Sequence, residues 1–337
     1  MHATTLERLR SDIEELTVYP DRRVGSEGHA AARVWVEHRM LRLGLEPFAG
    51  PSLVMPYTVG AKRFANVIGV VQGADVDRDA EELLPVVLGA HYDTVPGTPG
   101  ADDNAASVAV VLEVAARLMR NQPRRPVVIA VFDAEEPPYF HSPAMGSTRF
   151  VADHIREDVH AAIILDLIAH AVPLPGLENL IALMGAESHV ALADLARDAA
   201  DGPLPLVTVP NAVMPDMSDH YAFRVAGRPF LFVSAGHGPH YHQATDTLDT
   251  LDLHKTVMVT DLVESLVRQA ATAPLDGARP HDSGALDFEL LQRSIGEQGD
   301  HRPEGVGVGS VVAHGPGLVA GVHALQDAGQ LPVSERL

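Results

Sequence analysis

His91 and Asp93 flank Tyr92 directly after Val86-Val87-Leu88-Gly89-Ala90, a short apolar run that reads as a buried strand. In extended backbone, side chains two apart share a side, so His91 could bind a metal while Asp93 holds its other ring nitrogen. After a Pro/Gly-rich loop at 96–100 comes Asp102-Asp103-Asn104, leading into SVAVVLEVAARLM. Asp103 or Asn104 would cap that helix. The run PVVIAVF leads into Asp133-Ala134-Glu135-Glu136, IIL leads into Asp166, and PFLFVSAG leads into a segment with His237, His240 and His242. Each piece has an ordinary alternative: a satisfied polar histidine, a helix cap, a solvated glutamate pair at a strand exit. Asp166 is harder to place so, because a carboxylate inside IILDLI needs a cation or several donors to offset its burial.

The elements that must carry these groups alternate. Strands are expected at 52–58, 65–72, 86–90, 126–132, 163–168, 179–185, 206–210 and 229–236, and helices at 4–17, 27–43, 105–120, 188–200, 218–226 and 253–271. Such alternation, with continuously apolar strands, predicts an α/β three-layer sandwich: a mixed, mostly parallel central sheet with helices on both faces. In an open sheet of this kind ligands bind beyond the carboxyl ends of the strands, so the scattered groups should converge in space. His, Asp, Glu, Asp and His offer nitrogen and oxygen donors suited to zinc, and their surplus of carboxylate suits a bridged pair of ions.

The remaining features bound the function. The formal charge of -20 argues against nucleic acid or an anionic membrane as partner. The chain has no cysteine, which excludes disulfides, thiolate zinc sites and a cysteine nucleophile. The segment MHATTLERLRSDIEELTVYP lacks the apolar run of about 7 to 15 residues of a signal peptide. No stretch approaches the ~20 apolar residues of a membrane span, so a cytoplasmic location is the default expectation. Residues 1–274 are expected to form one α/β domain, with an acidic surface loop at 73–82. Residues 275–337, opening with PLDGARPHDSG and Gly-rich further on, form a C-terminal extension suited to packing, homo-oligomerisation or disorder.

Taken together, HYDT, GADDNAAS, DAEE, ILDLI, SDHYAF and YHQATDT, with PDRRVGSEGHAAA near the N-terminus, resemble in order and spacing the co-catalytic zinc aminopeptidases, the group of bacterial leucyl aminopeptidase and aminopeptidase Y. The resemblance covers roughly residues 15–272. It implies two zinc ions, one held by His91 and Asp166 and the other by Glu136 and His242, with Asp102 bridging. It further implies Glu135 as general base, Asp93 behind His91, a cis peptide after Asp102, and a peptide or aminoacyl substrate cleaved at its N-terminus.

The chain departs from that family by inserting PPYFHSPAM between Glu136 and Gly146, which brings Tyr139, Phe140 and His141 either into a substrate pocket or onto the surface. This loop and LDLIAHAVPLP also look like glutaminyl cyclases, which bind one zinc and cyclise N-terminal glutamine. A non-catalytic binding module on the same scaffold is the reading from another class. His240 competes with His242 as ligand by alternation, and Asp219 and His220 either support the site or cap a helix.

Overall fold

Helix α1 (Thr5–Leu16) starts at a capping box, with Thr4 and Glu7 each bonding the other's backbone N–H, and it buries Leu9, Ile13 and Leu16 along one stripe. The computed structural model describes residues 4–74, 83–155 and 159–296; most of the expected acidic loop, 75–82, and the tail 297–337 lie outside them. The chain continues through α2 (Glu27–Leu43), β1 (Glu46–Pro47), β2 (Val54–Val59), β3 (Lys62–Val71), β4 (Val86–His91), α3 (Ala106–Arg120) and β5 (Val127–Phe132). It goes on through α4 (Gly146–Phe150), β6 (Ala161–Leu165), β7 (Ile181–Met184) and α5 (Val190–Ala199). The last elements are β8 (Leu206–Val209), α6 (His220–Val225), β9 (Phe230–Ser234), α7 (Leu253–Ala270) and α8 (Gly284–Gly296).

Among the described residues nine strands join one mixed sheet in the order β1-β3-β5-β4-β6-β9-β7-β8, with β2 paired to β3. Its centre, β5-β4-β6-β9, is parallel, with His91 registered against Phe132 and Gly89 against Ile164. Every residue of those four strands is buried, as expected for strands covered on both faces. Helices α1, α2, α3 and α7 pack on one another over β3, β4 and β5, while α4 and α6 contact each other and lie on β3, β6 and β9. Glu113 of α3, almost fully buried, takes Arg8 of α1 at 2.6 Å, and Arg117 joins α3 to Asp261 and Glu264 of α7 at 2.7 and 3.0 Å. The consequence is a rigid floor beneath the carboxyl ends of β4, β5, β6 and β9.

The expected boundary at residue 274 does not end the packed fold. Helix α8 buries Leu286 and Leu290 in the main core and binds β8 through Ser294 Oγ to the Leu206 carbonyl at 2.8 Å. Linker-like composition in 275–283 concealed an apolar stripe that begins only at Leu286. Among the described residues, no helix is long and apolar enough to cross a membrane.

Candidate metal centre

The parallel centre of the sheet delivers its C-terminal residues to one place. His91 ends β4, Glu135 and Glu136 follow β5 by three and four residues, Asp166 follows β6 directly, and His242 lies on the loop after β9. Two groups of donor atoms form, His91 with Asp103 and Asp166, and Asp103 with Glu136 and His242, each within a span of 4.8 Å. His91 Nε2 lies 3.4 Å from Asp103 Oδ1 and 3.5 Å from Asp166 Oδ2. His242 Nε2 lies 3.3 Å from Asp103 Oδ2 and 3.2 Å from Glu136 Oε2. Glu135 belongs to neither group, and its Oε2 stands 3.8 Å from His91 Nε2.

The shared carboxylate is therefore Asp103, one residue beyond the Asp102 expected from the sequence. Asp102 turns the other way, taking the Ala169 N–H at 2.8 Å and lying 2.6 Å from His170 Nδ1. The cis peptide is likewise displaced by one, to Asp103–Asn104. Nor does Asp103 or Asn104 cap α3, since 101–105 forms a single wide turn continuous with the helix, and Asn104 Nδ2 instead donates to the Leu165 carbonyl at 3.0 Å. Three adjacent polar residues give no periodicity from which to choose the inward one. The choice is made by Asp246, whose two carboxylate oxygens accept the N–H groups of Asp102 and Asp103 at 2.9 and 3.1 Å. Burial raises the Asp246 carboxyl to about 7 against those bonds.

Asp93 also acts differently from expectation. Its carboxylate accepts the backbone N–H groups of Glu135 and Glu136 at 3.0 and 3.1 Å, clamping that turn, and is 3.6 Å from His91 Nδ1. The partner of His91 Nδ1 is the Asp93 main-chain carbonyl at 3.2 Å. A proton on Nδ1 bonded there leaves the Nε2 lone pair facing the cluster. Ala134, Leu167 and His242 all have φ near +55, an unfavourable conformation for residues with a β carbon, and each is or adjoins a member of the cluster.

Residues near the N-terminus complete the scaffold. Arg22 is fully buried and, with no carboxylate among the described residues on its guanidinium, donates to the carbonyls of Tyr92, Leu16, Pro99 and Gly100. Burial lowers it to about 10, while Asp103, Asp246 and Asp93 pull it back up. Gly100, at φ +67, lets the chain turn under this guanidinium, with the Asp103 carbonyl where a β carbon would stand. His29 Nε2 lies 2.7 Å from Asp133, whose other oxygen takes the Ala65 N–H. The PDRRVGSEGH segment offered these residues to the eye, but only their burial reveals the role.

His91 Nε2, His242 Nε2, Asp166 Oδ1 and Glu136 Oε1 are buried without a hydrogen bond. Burial pushes up the carboxyls of Glu135, Asp166 and Glu136, the last to about 7 with Asp103 adding repulsion. Burial would lower His242, but the Asp103 and Glu136 carboxylates outweigh it and raise the ring to about 10. His91 rises similarly against its burial, through Asp166 and Glu135. A donor set of imidazole and carboxylate, without thiolate, fits zinc, and cations there would displace protons the site otherwise holds.

Beside the cluster opens a cavity of about 230 Å³, walled by Phe140, Leu174, Met184, Met214, Met217 and Phe232. The inserted loop thus reaches the cavity with Phe140 alone of its three rings. Tyr139 turns to Phe64 and takes Lys62 Nζ at 2.8 Å, and His141 stacks on Tyr221 at 4.1 Å. His240 hydrogen-bonds Thr245 at 2.9 Å and is not in either group. Asp219 and His220 are buried, their polar side-chain atoms without hydrogen bonds; His220 stacks on Phe232 at 4.3 Å.

The model of peptidase family M28 matches residues 66–267. The chain is 28% identical over 213 residues to the uncharacterized protein YfbL of Escherichia coli, covering 54% of this chain and 66% of that protein's length. In three dimensions it resembles the LapA aminopeptidase of Legionella pneumophila, with TM-score 0.65 and 18% identity over 80% of this chain and 72% of that one. It is also similar to the glutaminyl cyclase of Bacteroides thetaiotaomicron, with TM-score 0.61 and 17% identity over 78% and 97% of the two chains.

Proposed function

Because the chain belongs to peptidase family M28, we propose that it is a zinc-dependent exopeptidase that removes N-terminal residues from peptides. His91 and Asp166 would hold one zinc, Glu136 and His242 the other, with Asp103 between them. Bound there, the ions would supply Lewis acidity toward the scissile carbonyl and a water acidic enough to lose a proton near neutral pH. Glu135 takes that proton as the water attacks and passes it to the leaving amine, so peptide and water become amino acid and shortened peptide. Burial raises its carboxyl above the usual carboxylate range, which makes the ionised form a stronger base toward that proton. Asp93 holds the Glu135 main chain in place through its amide.

The observation that carries this reading is the contrast between cluster and cavity. Asp103, Glu135, Glu136 and Asp166 line the same cavity as the apolar wall, and no lysine or arginine is among its lining residues. With two ions in place the four carboxylates are offset, but the wall offers no guanidinium or ammonium to receive a C-terminal carboxylate. The apolar wall suits the side chain of the residue being released. Two complete donor groups also favour hydrolysis over cyclisation at a single zinc, and the presence of base and donors favours an enzyme over a binding module.

The test is a zinc-supplemented assay on aminoacyl-nitroanilides with apolar side chains, beside product masses from a peptide beginning with Gln. Hydrolysis at the N-terminus, adding the mass of water, is expected. Loss of ammonia from the Gln peptide, or trimming from the C-terminus, overturns the proposal.

A further inference from the structure

His170 lies four residues beyond Asp166, 4% exposed, and is held from its main chain as well as its ring. The fully buried Lys255 of α7 donates to the His170 carbonyl at 2.8 Å and to the Glu178 carbonyl at 3.2 Å, and His170 forms an isolated antiparallel bridge with Leu251. Its Nδ1 lies 2.6 Å from Asp102 Oδ2. Against the ring lies Gly238, where an added β carbon would stand 2.9 Å from the ring Cγ and Cδ2 and 3.2 Å from Nδ1. These are its three nearest atoms, and Gly238 is not among the positive-φ glycines, so a side chain is excluded there by this ring rather than by backbone conformation.

The two neighbours of the ring lead to the two sides of one donor group. Asp102 is bonded in sequence to Asp103. Gly238 precedes His242 in a segment tightened by Tyr241 N–H to the Gly238 carbonyl at 3.2 Å and by stacking of His237 on Tyr241 and Tyr241 on His242 at 3.9 and 3.8 Å. His91, by contrast, ends a strand in register with β5, and Asp166 continues the ladder through its N–H to the Val233 carbonyl at 3.2 Å. The sheet therefore sets the spacing of His91 and Asp166, while no sheet ladder reaches His242 or Asp103, the residue both groups share.

We propose that His170 is a positioning residue for the second metal subsite, fixing the distance between Asp103 and His242 by binding Asp102 on one side and supporting Gly238 on the other. This rests on the two-cation reading above. The ring acts as a spacer of fixed thickness: without it the loop after β9 can settle inward and the turn at 101–105 loses the anchor of Asp102. The subsite formed by Asp103, Glu136 and His242 then loses its preorganised span, while the one formed by His91, Asp103 and Asp166 keeps two donors held by the sheet.

Zinc titration of the metal-free full chain, followed by calorimetry and native mass, tests this. Wild type takes two zincs. His170→Ala weakens one step at least tenfold and the other, which shares Asp103 but keeps His91 and Asp166 on the sheet, by clearly less. His170→Asn, which keeps a donor in the place of Nδ1, and His170→Phe, which keeps the ring, each recover part of the loss. Gly238→Ala weakens the same step, but in the His170→Ala background its added effect disappears because the atoms it strikes are gone. At saturating zinc kcat of His170→Ala returns toward wild type, which a damaged fold would not allow. Two unaltered steps, or both weakened alike, in folded variants overturn the positioning role while leaving the two-cation reading intact. A wild-type chain that binds one zinc overturns both. Should His170→Ala fail to fold, Gly238→Ala carries the same decision alone.

Discussion

Glu135→Gln isolates proton transfer from metal holding. The Glu135 N–H is fixed by Asp93 at 3.0 Å, the residue is 4% exposed, and neither donor group includes it. Glutamine has the same shape, so the turn, Glu136 and the cavity should persist, but its amide cannot take a proton from water. General acid–base catalysis contributes roughly 10²- to 10⁴-fold, which at 1.36 kcal/mol per decade is about 3 to 5 kcal/mol of barrier. The expected result is a fall in kcat of that size with KM within a few-fold and zinc content unchanged. A second readout follows from the direction of the Glu135 shift. Its carboxyl is raised by burial and by Glu136, Asp166 and Asp219, so ionising it costs stability above the ordinary carboxylate range. Metal-free Glu135→Gln should therefore melt higher than the metal-free wild type at pH 8, with the gap closing in acid. Wild-type turnover refutes the base assignment, and loss of zinc refutes the separation of base from donors.

Asp103→Ala is expected to abolish uptake of both zincs, since both groups share that residue, as an equilibrium dialysis would show. Asp93→Ala leaves the buried N–H groups of Glu135 and Glu136 without acceptors and should cost about 2 to 6 kcal/mol in denaturant unfolding, at about 1 to 3 per group. Burial holds the Asp287 carboxyl near 6 against 3.8 ordinarily. Its contribution to stability is full below the lower value and is lost as pH rises through the upper, so Asp287→Asn should stabilise at pH 8 by up to about 3 kcal/mol and change nothing below about pH 4. Leu290→Ala should cost about 2 to 5 kcal/mol if α8 belongs to the core, and a null effect on melting would detach it.

The sheet and the place where its chemistry gathers were legible because parallel strands buried on both faces are continuously apolar and their polar exits stand out. His91, Glu135, Glu136, Asp166 and His242 were found in that way, and the structure brings them together. Asp103 was missed in favour of its neighbour because Asp102, Asp103 and Asn104 differ little in type and lie in a turn that neither strand nor helix period describes. His170, Arg22 and Asp246 were not singled out for another reason. Each acts through a long-range contact with main chain or a single partner, and residue type alone does not distinguish such a contact from a cap or a surface charge. The extension to α8 escaped notice because the composition of 275–283 suggested a linker.

The family match begins at residue 66, yet two of the groups that shape the centre come earlier: the Arg22 guanidinium, which draws four carbonyls together beneath the 92–100 loop, and His29 against Asp133. A chain trimmed to the matched segment would retain every donor and still leave the Tyr92, Pro99 and Gly100 carbonyls facing an empty space. The boundary drawn by sequence similarity is thus narrower than the unit that holds the donor groups in place, and the turn carrying Arg22 and the helix carrying His29 belong to that unit.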